Sequence, residues 1–258
     1  PKKDKRIKYG IVPRPGNDLI VDDYSQLEAR VFAAVGNEPS LIQSFFKKQD
    51  FWGTLAVDIF NLSCSPNEVL EKHPDERQQA KAAGLAIVYG GKKWKISKLL
   101  NISEDDADAF ITKYFTTYPN LKKLVNRSHG QALELEYVQT LTGRKRRFIG
   151  IKKLQRSTKK EDFRLLGNLL NISVNFQIQS LGASIINRAM INIKKEFDAK
   201  RLPAFIVIQV HDELVVECKK EYTKEVSEIV QRCMEHAYDI GVPLEAKPII
   251  VDRYSEAK

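Results

Sequence analysis

The chain has 258 residues and a formal net charge of +9, from 42 Lys and Arg against 33 Asp and Glu. Its 43% hydrophobic content is enough for a sizeable core, and its 29% charged content excludes a fibrous or low-complexity protein. No run approaches the roughly 20 apolar residues of a membrane span. Three widely spaced cysteines form neither a metal motif nor a disulfide framework. We therefore expect an intracellular protein without a membrane partner.

The first predicted element is a strand over 17–21 that leads into Asp22 and Asp23, and a helix over 25–35 follows it. Ser25 is a candidate N-cap of this helix because Glu28 follows three residues later, as in a capping box. Further helices are predicted over 37–48, 50–61, 75–89, from Ser103 toward Pro119, and over 121–136, 162–173 and 177–199.

The last part of the chain has the period of strands. Apolar runs over 204–209 and 214–217 flank Val210–Glu213, which is the spacing of a hairpin. A helix over 222–240 and a strand over 247–251 complete the pattern. The predicted fold class is α+β, with a small antiparallel sheet and a helical insertion between 40 and 137, where no strand is expected.

Positive charge is concentrated in two segments. Between Gly143 and Lys160 there are nine cations and no acid, and this charge equals the net charge of the whole chain. At the start, Asp4 alone opposes a second block, made of Lys2, Lys3, Lys5, Arg6 and Lys8. Such blocks indicate a polyanion partner, and the alternative for each is a solvated loop.

Two carboxylates follow apolar strands. Asp23 and Asp212 each lie at the end of a strand-like run, and they converge if the two strands are neighbours. Two carboxylates without His or Cys nearby suit Mg²⁺, which keeps room for phosphate oxygens, and two such ions can clamp an in-line phosphoryl transfer. The alternative is that both are turn aspartates. Asp22 and Asp23 point to opposite faces, and spacing alone does not say which is the ligand.

The helix over 75–89 has a patterned face. Arg77, Lys81, Leu85 and Tyr89 recur every four residues, so the face is cationic at its start, then apolar, then aromatic. A nucleoside triphosphate has matching parts, and the helix dipole adds to anion attraction at the cationic end. The alternative is a helix with two solvated cations and a buried Leu and Tyr.

These residues resemble a known family, the family A DNA polymerases, which are DNA polymerase I-like enzymes. The similarity runs from about Arg6 to about Val251. It is carried by three ordered motifs and two shorter matches: Asp23-Tyr-Ser-Gln-Leu-Glu-Ala-Arg30, Arg77-Gln-Gln-Ala-Lys81-Ala-Ala-Gly-Leu85-Ala-Ile-Val-Tyr89-Gly90, Val210-His211-Asp212-Glu213-Leu-Val-Val-Glu217, Thr140-Leu-Thr-Gly-Arg144 and Asn175-Phe-Gln-Ile-Gln179.

The resemblance implies a right-hand polymerase fold that lacks the thumb. An antiparallel palm is expected over 1–40 and 143–258, with a large helical fingers insertion over 41–142. The implied activity is DNA-directed DNA synthesis, in which a primer 3′-hydroxyl attacks the α-phosphate of a dNTP. The implied cofactors are two Mg²⁺ ions, and the implied partners are primer–template DNA and dNTPs.

The resemblance also implies roles for individual residues. Asp23 and Asp212 are expected to bind both metal ions, which favours Asp23 over Asp22, and Glu213 to support them. Lys81 is the expected proton donor to pyrophosphate, and Glu28 the expected steric gate against a 2′-hydroxyl. The expected dNTP-binding residues are Arg77, Lys81, Leu85, Tyr89, Glu28, Gln26 and Trp52. The expected DNA-binding residues are His211, Gln179, Asn175, Arg144, Asn171, Arg146 and Arg147.

Three residues depart from the family pattern. Leu85 stands where Phe or Tyr is usual, so weaker base stacking and discrimination against dideoxynucleotides are expected. Trp52 stands where a His usually touches the triphosphate, and an indole N–H donates one bond without charge. Asn171 replaces a usual Arg, and the long basic stretch 144–160 is expected to compensate. These departures favour a phage-type source.

A thumb and an exonuclease are absent from the pattern. The chain is expected to be the C-terminal part of a larger or split polymerase, with an N-terminal part as partner. Its expected location is a bacterial or phage-infected cytoplasm, or an organelle. Three alternatives stay open: a single-subunit RNA polymerase-like nucleotidyltransferase, a non-catalytic DNA-binding accessory subunit with a polymerase fold, and a generic basic domain.

Overall fold

The computed structural model describes residues 6–257. The basic residues Lys2, Lys3 and Lys5, expected to face a polyanion, lie outside the described residues. The chain divides into two compact units. The first unit comprises the residues up to Leu27 and those from Gly182 onward, and the second unit is Glu28–Leu181. The palm and fingers limits expected near 40 and 143 remain predictions.

Helices make up most of the chain. In chain order they are α1 (Arg6–Tyr9), α2 (Leu27–Gly36), α3 (Pro39–Phe46), α4 (Phe51–Phe60), α5 (Val69–Lys72), α6 (Pro74–Val88), α7 (Lys93–Leu100), α8 (Glu104–Thr117), α9 (Pro119–Leu135), α10 (Ile151–Gln155), α11 (Lys160–Lys200) and α12 (Thr223–Glu235). The strands are β1 (Asn17–Asp23), β2 (Tyr137–Gln139), β3 (Lys145–Arg147), β4 (Ala204–Val210), β5 (Glu213–Lys219) and β6 (Ile249–Val251).

The first unit is built on an antiparallel sheet with the strand order β4-β5-β1-β6. Leu19 and Val21 of β1 pack on one face with Val215, Val251 and Tyr254. All six residues of β5 from Glu213 to Cys218 are buried, as are residues 19–22 of β1. Both faces of the two central strands are therefore covered, which explains their continuous apolar runs and confirms the predicted α+β class.

The second unit is helical, with an aromatic core. Phe51 of α4 stacks on Phe45 at 5.2 Å between ring centroids and meets Phe32 edge-on at 6.2 Å. Tyr114 and Tyr118, at the end of α8, are fully buried. In this core α6 approaches α4 closely, because a Cβ on Gly84 would lie 2.9 Å from Leu55 Cδ2. The helices between 40 and 137 enclose no strand among the described residues, as predicted.

The two helices predicted over 162–173 and 177–199 are one helix, α11. The expected break at 174–176 was wrong because Val-Asn-Phe contains neither glycine nor proline. Val174 and Gln177 are both buried there, and Gln177 Nε2 donates to Ser128 Oγ at 2.6 Å. Packing therefore keeps the helical backbone continuous through the polar residue Asn175.

Several helix and strand limits also differ from prediction by two or more residues. The helix predicted from Ser25 begins at Leu27, and Gln26, with φ +55°, precedes it in the left-handed region. The helix predicted to 240 ends at Glu235, and the last strand begins at Ile249 instead of 247. The hairpin of β2 and β3 was not predicted, because each strand has three residues and shows little alternation.

A search of residues 6–257 for a helix long and apolar enough to cross a membrane finds none.

Candidate functional site

The first candidate region is one end of the sheet in the first unit. Asp23, the last residue of β1, lies directly opposite Glu213, the first residue of β5. Asp212 immediately precedes Glu213, and its carbonyl accepts a hydrogen bond from the Tyr24 N–H at 3.4 Å. Asp23 and Asp212 are both half-buried. The two strands are thus neighbours, and both aspartates lie at the same end of them.

Glu213 is held in a buried cluster. It is 7% exposed, and the Tyr254 hydroxyl donates a hydrogen bond to its Oε1. Lys8 Nζ lies 3.7 Å from the same oxygen and 4.0 Å from the centroid of the Tyr254 ring. Burial, and then the carboxylate of Glu213, raise the pKa of Tyr254, so its hydroxyl remains a donor. The orientation of Glu213 is therefore set by two side chains. Sequence reasoning placed Lys8 in a basic block expected to face a polyanion and did not predict its ion pair with Glu213, and no local pattern marked Tyr254.

Asp22 has a different environment from its neighbour Asp23. Its side chain is fully buried, and neither carboxylate oxygen forms a hydrogen bond of normal geometry. Burial, and then the charge of Glu235, raise its pKa to about 7, while the nearby backbone of Lys247 lowers it only in part. Of the adjacent pair, Asp23 is half-buried and Asp22 is buried, which favours Asp23 as a metal ligand.

The donor set at this sheet end is compatible with a hard cation. Within residues 6–257 no group of three or more His, Cys, Asp or Glu side chains is arranged as a complete metal site. Asp23 and Asp212 offer only carboxylate oxygens, and they leave most positions around an ion to water and phosphate. This composition fits Mg²⁺, which commonly keeps several waters and binds through one or two carboxylates.

The second candidate region is the cationic start of α6, in the second unit. Arg77 Nη2 donates to Asp50 Oδ1 at 2.9 Å, and its Nε forms a second, shorter bond to Oδ2. Asp50 is also the N-cap of α4, where Oδ2 accepts the Gly53 N–H at 3.0 Å. The hydrogen bonds to Asp50 raise the pKa of Arg77. The sequence contained a signal for Asp50, an acid directly before a helical run, but none for its pairing with Arg77.

Lys81 lies one turn further along α6. Its Nζ is 5.5 Å from the centroid of the Trp52 ring, within the range of a cation–π contact. Trp52 is only 4% exposed and meets Phe51 edge-on at 4.7 Å. Trp52 is therefore mainly a core residue that contacts Lys81, and little of its surface is accessible to a ligand.

The aromatic end of α6 meets two polar side chains. Glu28 Oε1 accepts a bond from Gln179 Nε2 at 2.9 Å and one from the Tyr89 hydroxyl at 3.4 Å. Burial, and then Glu28, raise the pKa of Tyr89. Leu85 is half-buried one turn before Tyr89. Glu28, Tyr89 and Gln179, which are far apart in sequence, thus form one hydrogen-bonded group.

A polar row extends along α11 from this group. Asn171, Asn175 and Gln179 are spaced four residues apart and therefore share one side of the helix. Asn171 lies against Gly90, because a Cβ built there would be 1.9 Å from Asn171 Oδ1. Gly90 also has φ +84°. A larger residue at position 90 would have to displace the Asn171 amide as well as adopt a left-handed backbone.

The remaining predicted DNA-binding residues are exposed. His211 forms the hairpin turn before Asp212 with φ +55°, and its carbonyl accepts Gln209 Nε2 at 2.6 Å. Arg144 ends the turn that joins β2 to β3, and its N–H donates to Thr140 Oγ1 at 3.1 Å. Arg146 and Arg147 lie in β3 with exposed side chains.

The chain is similar in sequence to known DNA polymerases. The sequence model for DNA polymerase family A matches residues 1–256. DNA polymerase I of Caldicellulosiruptor bescii is 35% identical over 240 residues, which cover 93% of this chain and 27% of that protein. DNA polymerase I of Bacillus caldotenax is 33% identical over 245 residues, 95% of this chain and 27% of that protein.

A solved structure is also similar. It is the POL domain of Pol1 from M. smegmatis, in complex with DNA primer-template and dNTP, with a TM-score of 0.86 and 27% identity. The similarity covers 98% of this chain and 43% of that chain. The chain thus spans less than half of that structure, and 27% of the length of each of these two relatives.

Proposed function

The chain belongs to DNA polymerase family A, and we propose that the protein performs template-directed DNA synthesis by transferring dNTP nucleotidyl groups to a primer 3′-hydroxyl. The observation that carries the proposal is the pairing of β1 with β5, which brings the half-buried residues Asp23 and Asp212 to one end of the sheet. A binding module has no need for two such carboxylates together with the cationic face of α6.

In this proposal Asp23 and Asp212 bind two Mg²⁺ ions, and Glu213 supports that site. The ions supply positive charge at the attacking and leaving oxygens of the phosphoryl transfer. The Tyr254 hydroxyl and Lys8 keep Glu213 oriented. The protein's own contribution here is positioning, because the strand register fixes where the carboxylates lie.

The triphosphate of the incoming dNTP is assigned to α6. Arg77 and Lys81 provide the positive charge, and Lys81 donates a proton to the pyrophosphate as it leaves. Asp50 accepts hydrogen bonds from Arg77, and we propose that the phosphate oxygens compete with Asp50 for this guanidinium. Trp52 acts mainly by holding the Lys81 ammonium over its ring.

The sugar and base of the dNTP are assigned to the other end of α6. Leu85 and Tyr89 face the base and sugar, and Gln26, exposed just before α2, is an additional contact. Glu28 is held by Gln179 and Tyr89, and a fixed carboxylate there excludes a 2′-hydroxyl. A comparison of dNTP with rNTP use separates this proposal from an RNA polymerase-like activity.

Primer–template DNA is assigned to polar residues that are exposed, apart from the half-buried Asn171. Gln179, Asn175 and Asn171 form one row on α11, and their amide side chains can contact base edges and sugars. Further contacts come from His211, beside the terminal primer sugar, and from Arg144, Arg146 and Arg147. The arginines bind phosphates, because guanidinium groups pair well with them.

The proposal also includes a second part of the polymerase, which this chain would need as a partner. Each of the two relatives has most of its length outside the matched region, and we propose that a part equivalent to their remainder grips duplex DNA. Since those relatives are bacterial enzymes, a bacterial or phage-infected cytoplasm is the proposed location.

Primer extension tests the function. The chain is assayed with dNTPs, a primer–template and Mg²⁺, alone and with the remaining part of a bacterial relative, and Asp212→Ala serves as the inactive variant. We expect extension that the added part increases and that Asp212→Ala abolishes. DNA binding without any extension in either mixture would instead favour a non-catalytic accessory subunit.

A further inference from the structure

A second basic surface lies beyond the arginines of β3. It is made of five cations on and after α10, which we name the α10 platform: Lys152, Lys153, Arg156, Lys159 and Lys160. All five side chains are exposed. Across the described part of the chain, none of them forms an ion pair or a side-chain hydrogen bond. The positive charge of the platform is therefore not neutralised by acidic side chains of the described residues.

The platform is a folded surface and not a loose loop. Phe148 and Ile151 are buried at its base, in a cluster with Val138 and Ala132. The N–H of Phe148 donates to the Glu136 carbonyl at 2.7 Å, and that of Gly150 donates to Glu136 Oε1 at 3.2 Å. These contacts fix the start of α10 on this cluster.

The charge of this region indicates a polyanion. The nine cations between Gly143 and Lys160 equal the net charge of the whole chain, so the other residues balance one another. Such a concentration of like charge opposes folding through self-repulsion, and a bound polyanion relieves it. Phosphodiester chains are the polyanions that exposed Lys and Arg bind without sequence preference.

The side chains of the region favour a duplex over a single strand. Proteins that bind single strands place exposed aromatic rings among their cations, so that the bases stack on them. Phe148 is the only aromatic residue between Gly143 and Lys160, and it is 4% exposed. A single exposed ring, Phe163, follows in α11. The platform can thus bind a sugar–phosphate backbone but has no row of rings for bases.

We propose that the α10 platform binds the sugar–phosphate backbone of the duplex part of the primer–template, away from the reacting groups. The inference rests on the proposed function, since Arg144, Arg146 and Arg147, assigned there to DNA, are joined to α10 by only Phe148–Gly150. The platform adds affinity and holds the DNA between additions, and it takes no part in the chemical step.

Neutralising three lysines tests the proposal. The variant is Lys152→Gln with Lys153→Gln and Lys159→Gln, because Gln keeps helix propensity and length while it removes charge. The matched control is Lys195→Gln with Lys219→Gln and Lys224→Gln, three exposed lysines of the first unit without ion pairs to the described residues. Both variants lose three charges, so a general effect of net charge appears equally in the two.

The measurement is Kd for a duplex primer–template, and for the single-stranded template, over a range of salt concentrations. For the platform variant we expect about tenfold weaker duplex binding near 0.1 M salt. We also expect the slope of log K against log salt to fall in magnitude by about 0.9 for each lost phosphate contact. The control binds as the parent does. Single-turnover nucleotide addition at saturating DNA stays unchanged in both.

Three results with the two variants would overturn the proposal. They are a platform variant that binds duplex as the parent does, a control that is weakened equally, and a loss confined to single-stranded DNA. A parent chain that binds no duplex overturns the platform as well. A parent that shows the expected binding pattern but adds no nucleotide refutes the proposed function while the platform stands.

Discussion

Arg77 and Asp50 form a two-point ion pair, in which Arg77 Nη2 donates to Asp50 Oδ1 at 2.9 Å and a second bond joins Nε to Oδ2. The pair is partly exposed, with side-chain exposures of 21% and 16%. The cation assigned to the triphosphate is therefore already bound to an internal carboxylate. Nucleotide binding at Arg77 becomes a competition between two anions.

The substitution Asp50→Asn tests this competition. Asn caps a helix as well as Asp does, so the start of α4 is kept while the charge is lost. Partly exposed pairs contribute on the order of 1 kcal/mol, and release of Arg77 is therefore expected to lower KM for dNTP about fivefold. Arg77→Gln serves as the opposite control and raises KM. A higher KM in Asp50→Asn would show that the pair orients Arg77 for the phosphates.

Gly90 and Gly143 give a matched test of backbone and packing constraints. Both have φ near +85°, but a Cβ on Gly90 meets Asn171, whereas a Cβ on Gly143 meets nothing within 4 Å. Gly143→Ala is expected to lower the free energy of unfolding by about 1–2 kcal/mol, the left-handed penalty alone. Gly90→Ala adds an overpacking cost and is expected to reach about 3 kcal/mol or more. Urea denaturation measures both, and equal losses would contradict the close approach to Asn171.

Leu85 predicts discrimination against dideoxynucleotides. Leucine has no hydroxyl to compensate for the missing 3′-hydroxyl, so the ratio of kcat/KM for ddNTP to that for dNTP is expected to be about 0.1 or lower, a difference of about 1.4 kcal/mol or more. Leu85→Tyr raises the ratio toward one, and Leu85→Phe, which adds the ring without the hydroxyl, leaves it low. A parent ratio near one would contradict the prediction.

Asp22 predicts a pH dependence of stability. Burial raises its pKa from 3.8 to about 7, so between these values the unfolded chain releases a proton that the folded chain retains. The free energy of unfolding therefore falls as pH rises from about 4 to 7 and then levels off, by an amount on the order of 1.4 kcal/mol per pKa unit. Asp22→Asn removes this decline.

The measurement is urea denaturation between pH 4.5 and 8 in metal-free buffer. The difference between Asp22→Asn and the parent isolates this one carboxyl from the other titrating groups. Asp252→Asn, at an exposed position, is the control and is expected to follow the parent. Parallel curves for Asp22→Asn and the parent would show that Asp22 is not held protonated.

Sequence patterns located the elements that local chemistry defines. Pro74 and Gly90 mark the ends of α6, and the apolar runs on both sides of Asp212 predict the β4–β5 hairpin. The continuity of α11 could not be predicted, because it depends on tertiary burial of Val174 and on the Gln177 bond to Ser128. Local propensity is a weak guide where packing decides.

In the candidate site, too, local sequence predicted some features, while others depend on tertiary contacts. The types and spacing of Asp23 and Asp212 pointed to a carboxylate site, and the strand register confirms that these residues lie at one end of the sheet. The tertiary contacts of the predicted residues could not be predicted from the sequence. Trp52 is buried and the Tyr254 hydroxyl donates a hydrogen bond to Glu213. Both features depend on contacts between residues that are far apart in the sequence.

Adjacent substitutions at Asp22 and Asp23 test the central claim most directly. The measurement is single-nucleotide addition to a primer–template with Mg²⁺ by Asp23→Asn and Asp22→Asn, under conditions in which the parent is active. Loss of a metal-binding carboxylate is expected to cost several kcal/mol of transition-state stabilisation, so Asp23→Asn falls about 10³-fold or more. Asp22→Asn, changed at a buried position on the opposite face, stays within about threefold of the parent. Equal losses in the two variants, or a greater loss at Asp22, would contradict the account.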